Sequence, residues 1–162
     1  MEPAHSITAL QYVALIHEIS YTKVCKEIGI TPQQFSDWVR KRRPIPRERL
    51  QSITKYFDIE PTLLIDEHHY LQDLTADLKI ELQIMFLNKL LQQAEEGSDM
   101  DAYEEKLLRL RREKEQQHLI NRFTAVIQQN DAQTTHLCVA FLDHIQSGNL
   151  PTLQQAINPS EE

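Results

Sequence analysis

"GITPQQFSDWVRKRRPIP", residues 29–46, decides how the rest of the chain is read. Gly29 tolerates the left-handed backbone that closes a helix, and the Thr31 hydroxyl can cap the helix that follows. Pro32 suits the first helical position, where a missing N–H costs nothing. From there Phe35, Trp38 and Val39 fall on one side of the predicted helix, and Gln33, Gln34, Asp37 and Arg40 on the other. The stretch therefore encodes a helix stop, a tight turn, and a helix with one buried and one polar face. Four consecutive basic residues close it: Arg40, Lys41, Arg42 and Arg43.

On either side the pattern stays helical. Upstream, Leu10, Val13, Ala14, Ile16 and His17 make a mostly apolar face over about residues 6–19, and Val24, Cys25 and Ile28 do the same in "YTKVCKEI". Downstream, "PRERLQSITKYFDI" supplies Leu50, Ile53, Phe57 and Ile59, and "EPTLLID" a short segment with Leu63 and Leu64. Five short helices around one small core are expected. Pro32, Pro46, Pro61 and Pro151 each stand where a helix can begin, and Gly29, Gly97 and Gly148 where one can end. No stretch alternates as a half-buried strand would, so the predicted class is all-α.

With 41% hydrophobic and 25% charged residues in 162, the composition is that of a folded protein. No run of about 18 apolar residues exists, and "MEPAHSITAL" lacks the basic flank and apolar stretch of a secretion signal. A cytoplasmic location without a membrane partner is the expectation. Cys25 and Cys138 lie inside helix-like patterns and suit small buried side chains. His136 and His144 near Cys138 are read as structural or surface residues, so no metal and no cofactor is expected. The sequence shows no glycine-rich phosphate loop, nucleophile elbow or metal-ligand cluster, so no enzymatic activity is expected.

Charge divides the chain. Overall 17 basic and 24 acidic residues give a net of −7, yet residues 1–66 hold 9 basic against 8 acidic and residues 67–162 hold 8 against 16. Residues 38–55 contain Arg40, Lys41, Arg42, Arg43, Arg47, Arg49 and Lys55 against Glu48 alone. Such a run can be a solvated helix end complementing the helix dipole, or a patch that neutralises phosphates.

Residues 20–66 resemble the helix-turn-helix domain of the Cro/Xre-type phage repressor family. The resemblance rests on Val24, Cys25, Gly29, Ile30, Thr31, Phe35, Ser36 and Trp38 at that family's spacing. Two positions depart from it: Val39 stands where the family has Glu, and Lys41 where it has Gly. They predict a recognition helix that runs longer or leaves the core at another angle. The resemblance implies that this helix enters the major groove of double-stranded DNA, with Gln33 and Gln34 against base edges and Asp37 at a further base-facing position. A salt bridge from Asp37 to Arg40 or Lys41 is the competing reading. Tyr21, Thr22, Thr31, Arg40, Lys41, Arg42 and Arg43 would lie along the phosphates.

Beyond residue 66 the reading is of helices that assemble copies. Residues 67–96 are expected to form one long helix with Leu71, Leu74, Leu78, Leu82 and Met85 on one side and Ile80, Ile84, Leu87 and Leu91 on another. A helix apolar on two flanks needs more than one neighbour, which suggests a homodimer or tetramer. After the break "EEGSDMD" a helix over about 101–129 is expected, with Glu105 to Arg109 and Arg109 to Glu113 as surface ion pairs. Its end carries Leu119, Ile120, Phe123, Val126 and Ile127; another helix carries Leu137, Ala140, Phe141 and Ile145 to Gly148; "LPTLQQAI" follows. The expected organisation is a DNA-binding domain at 1–66 and an acidic helical oligomerisation or regulatory region at 67–162. The expected role is a transcriptional regulator, by default a repressor. An adaptor that keeps the fold but binds a regulatory protein or peptide is the alternative.

Overall fold

The structure, a computed structural model, describes residues 6–94 and 99–157. Among them are eight α-helices, one 3₁₀ turn and no strand. Helix α1 (Ala9–Ile16) starts from Thr8, whose side chain and that of Gln11 form a reciprocal capping box. Helix α2 (Tyr21–Ile28) is capped by Ser20 and stopped by Gly29 at φ +72°. A Cβ at Gly29 would also lie 3.2 Å from Arg49 Nη1. That nitrogen donates to the Ile28 carbonyl at 2.9 Å, placing a cation on the negative end of α2. Helix α3 (Pro32–Val39) and helix α4 (Arg47–Phe57) follow, then a 3₁₀ turn at Pro61–Leu63.

These helices bury the residues that periodicity marks. Leu10, Val13, Val24, Cys25, Ile28, Phe35, Leu50, Ile53 and Phe57 are all in one core cluster, as is Trp38, only 3% exposed. His17 ends the apolar face of α1; its ring stands edge-on to Phe57 and Phe86, and burial pushes its pKa below the usual range.

The long helix expected over 67–96 is shorter, and its first third is something else. Asp66 Oδ1 accepts from the backbone N–H groups of His68 and Tyr70, both at 2.9 Å, and His69 adopts φ +66°. This turn sends the chain back along the core, where Ile65 bridges Leu71 and Thr8 bridges Asp73. Only then does Thr75, accepting from the Leu78 N–H, launch helix α5 (Ala76–Gln93). Leu71 is 1% exposed, and Leu71, Leu78 and Leu82 belong to the same core as the first four helices, with Leu74 and Met85 packed against it. The stripe assigned to oligomerisation is thus covered by its own chain. Among the described residues, those up to Gln117 group into one compact unit and those from His118 onward into another.

The second stripe is covered as well. Helix α6 (Met100–Ile127) brings Leu107 and Leu110 against Ile80 and Leu87 of α5, with Ile84, Leu91 and Tyr103 around them. Lys114 Nζ reaches Glu81 Oε1 at 3.2 Å across this helix pair. The expected pairs of Arg109 with Glu105 and Glu113 are absent among the described residues. In the second unit, Asp131 caps helix α7 (Ala132–Gln146), which ends before Gly148 at φ +75°, and helix α8 (Leu150–Ile157) follows. The expected stop at Gly97 lies outside the described residues.

Leu71→Ala is expected to lower stability by about 2–4 kcal/mol, the range for truncating a buried leucine. Urea unfolding followed by the fluorescence of Trp38, the single tryptophan, reads this core directly. An unfolding midpoint within error of the parent chain's would place Leu71 outside the core.

Candidate nucleic-acid interface

The start of α3 is built by a second capping box. Thr31 Oγ1 accepts from the Gln34 N–H at 3.2 Å, and Gln34 Oε1 accepts from the Thr31 N–H at 2.9 Å. Gln34 is exposed, but its carbonyl oxygen already accepts from both the N–H and, at 3.4 Å, the hydroxyl of Thr31. Bidentate recognition of adenine needs one donor and one acceptor from the same amide, so Gln34 as seated offers donors only. Gln33 is different. It is exposed at the same open turn, and its Nε2 donates to Asp37 Oδ1 at 3.1 Å. A primary amide has two N–H donors, so one N–H and the carbonyl oxygen remain without a hydrogen bond from Asp37. Asp37 orients Gln33 from behind.

Asp37 itself is partly enclosed, its side chain 15% exposed. Arg42 Nη1 lies 3.6 Å from Oδ1 and Arg43 Nε 4.0 Å from Oδ2. An ion pair is therefore the arrangement found, though with Arg42 and Arg43 rather than Arg40 or Lys41. Both separations are at the long end for salt bridges, and both arginines are well exposed, so these pairs hold the side chains weakly.

The basic loop leaves α3 sharply. The helix stops at Val39 and is no longer than α2, so the predicted extension does not occur. Lys41 takes φ +55°, with its N–H bonded to the Trp38 carbonyl and the Arg42 N–H to that of Asp37. Lys41 thus adopts the left-handed conformation that glycine would reach freely, at a cost of about 1 kcal/mol. Its Nζ meets Asp73 Oδ2 at 2.6 Å, and this hydrogen bond holds the Asp73 carboxyl below its ordinary range. That contact ties the loop to the segment returning along the core.

Cations in this region therefore fall into three groups. Lys41 and Arg49 have structural partners, Asp73 and the end of α2. Arg42 and Arg43 are loosely held by Asp37. Arg40, at the end of α3, and Arg47, at the start of α4, are exposed and carry no ion pair among the described residues. Tyr21 and Thr22 are exposed on the first turn of α2; the Tyr21 ring tilts over Phe35 at 5.0 Å. A cleft lined by Tyr21, Thr22, Pro32, Ser36 and Arg40 separates the two helices. Arg47 is visible in the sequence as part of the charge excess, but its freedom from partners is not.

Two helices joined by a glycine turn, the second opening with an exposed amide, have the arrangement of a helix-turn-helix. Residues 9–66 match the family model of the Cro/C1-type helix-turn-helix DNA-binding domain, so that segment is such a domain and the protein is a DNA-binding regulator in the general sense. The match begins at α1, earlier than the resemblance seen from residue 20. No curated protein and no solved structure matches the chain. Among the described residues, no helix is long and apolar enough to cross a membrane.

Asp37→Asn removes the carboxylate that competes with phosphate for Arg42 and Arg43. It is expected to tighten binding to random-sequence duplex several-fold at low salt and to steepen the log–log salt slope by about 1–2. Fluorescence anisotropy across a salt series checks this; an unchanged slope would show that the two arginines do not exchange Asp37 for phosphate.

Proposed function

We propose that the protein is a sequence-specific transcriptional repressor whose copies act in pairs, each placing α3 in the major groove of one half-site about one helical turn from the next. The observation that carries this reading is Gln33, exposed in the first turn of α3 and hydrogen-bonded to Asp37, on the same helix whose end carries the exposed Arg40. In the proposed complex Gln33 reads a base edge, with adenine N6 and N7 as the matching partner. Arg40 and Arg47, joined by Arg42 and Arg43 once Asp37 releases them, lie along the backbone and fix register. Tyr21 and Thr22 do the same at the start of α2. Lys41 and Thr31, given phosphates in the sequence reading, act chiefly through the loop and the cap. Gln34 supports the reading helix from its capping position. Repression follows from occupancy, since a protein seated on promoter DNA excludes polymerase.

The reading makes the residues separable. Gln33→Ala is expected to cost about 1–3 kcal/mol on the selected site and little on random duplex, because it removes base contacts alone. Arg40→Ala is expected to weaken both duplexes alike and to reduce the salt slope by about 1. Equal losses on the two duplexes for Gln33→Ala would refute the base-reading role.

Selection of bound fragments from genomic DNA, followed by sequencing, tests the whole proposal. Paired, inverted half-sites whose centres lie about 10 base pairs apart are expected. With roughly 8–10 phosphates neutralised per pair, affinity is expected to fall about a thousandfold or more between 50 and 200 mM salt. Recovery of unrelated fragments, or a flat salt response, would count against it.

A further inference from the structure

We infer that the segment from residue 118 to residue 157 is the surface on which two copies of this chain join, with the Leu137, Phe141 and Ile145 face of α7 at its centre. The inference rests on the reading of the protein as a regulator that works in pairs, and it moves the joining surface away from the leucine stripes of α5, which the chain itself covers.

Three short helical stretches in this segment each carry an apolar stripe. At the end of α6 the stripe is Leu119, Ile120, Phe123, Val126 and Ile127; on α7 it is Leu137, Cys138, Phe141, Leu142 and Ile145; on α8 it is Leu150, Leu153 and Ile157. All three spacings follow the three- and four-residue steps of a helix that buries one side. Yet no described residue from 118 to 157 is buried. Leu137 is 61% exposed, and Leu142 and Ile145 are each 41% exposed. Among the described residues, 11 of the 16 exposed large apolar side chains lie in this segment. A unit of this size with amphipathic helices and no interior needs an outside surface to complete its core.

Area and charge name the occupant. Leaving out Val139 on the other side of α7, the remaining ten large apolar side chains, about half open, present on the order of 700 Å² of apolar surface over the three helices if each offers about 150 Å² when fully open. Brought together on one side, that area approaches the roughly 800 Å² each partner gives to a stable protein interface. The segment holds only three formally charged residues, Arg122, Asp131 and Asp143, in a chain that is 25% charged. With a single cation it cannot follow phosphates, and with two acids it gives a basic peptide little to grip. A near-neutral apolar face is matched by another of the same kind, and a two-fold pairing of identical chains sets such a face against itself without opposing like charges. On α7 the polar residues His136 and Asp143 lie opposite the Leu137–Phe141–Ile145 face.

Sedimentation of the full chain without DNA tests this. The parent chain is expected to sediment as a dimer at micromolar concentration. Leu137→Lys with Phe141→Lys is expected to weaken self-association on the order of a hundredfold or more, because it sets paired charges inside an apolar contact. His136→Lys, on the other side of the same helix, is expected to leave the dimer intact. Trp38 fluorescence confirms that the DNA-binding core is folded in each variant. A parent chain that stays monomeric, a double variant that still dimerises, or a dimer lost equally with His136→Lys would each overturn the inference. Binding of the double variant to short random duplex, measured separately, keeps the two readings apart. Self-association without any duplex binding would leave this interface standing and remove the regulator; duplex binding by a strictly monomeric parent chain would do the reverse.

Discussion

The turn between α2 and α3 is the constraint on which the site depends. Gly29 reverses the chain in a backbone conformation that other residues reach only with strain, and Arg49, arriving from α4, closes over it to bind the Ile28 carbonyl. Thr31 then fixes the first turn of α3 through its box with Gln34. Between them these contacts set the angle at which α3 leaves the core and determine which of its residues face outward. Phe35 and Trp38 are pulled inside, so Gln33 and Arg40 must lie outside. The tryptophan that catches the eye in the sequence serves as packing, and the glutamine beside the proline is the side chain to which we assign the recognition chemistry.

The basic run resolves the question it raises by dividing its labour. A positively charged loop next to a reading helix would repel itself if every side chain pointed the same way. Asp37 and Asp73 each take part of that charge: Asp73 pins Lys41 and the strained loop, while Asp37 restrains Arg42 and Arg43 and also accepts from the Gln33 amide. One carboxylate on α3 thus contacts both the amide proposed to read a base and the cations proposed to meet the backbone.

Local signals account for the part of the fold that was legible. Gly29, Thr31, Pro32 and the Phe35/Trp38 spacing are read within a few residues of one another, and the first four helices appear where those signals put them. Two features escaped because they depend on partners distant in sequence. Leu71 and Leu74 continue the spacing of Leu78 and Leu82, but Asp66 captures two backbone N–H groups and Thr75 supplies a cap, so the chain turns before the helix begins. Periodicity cannot reveal that a core 50 residues upstream will claim these leucines. Likewise, the run from Arg40 to Arg43 looks uniform until Asp73, thirty-two residues beyond Lys41, singles that lysine out. The Gln34 side chain shows the same effect locally: a residue type suited to reading bases is also suited to the third position of a capping box, and the cap takes its oxygen.

A pair of such domains would read DNA through two short helices, each presenting one oriented amide, and the affinity of the whole would come from backbone charge and from duplication. The measurement that tests this most directly is a nuclear magnetic resonance titration of the nitrogen-labelled chain with a selected duplex. Large shifts are expected at the Gln33 side-chain amide, the first turns of α2 and α3, and the Arg40 and Arg47 guanidinium groups, with α5 and the following helix unmoved. Shifts confined to the acidic helices, with the Gln33 amide unchanged at saturation, would contradict the account.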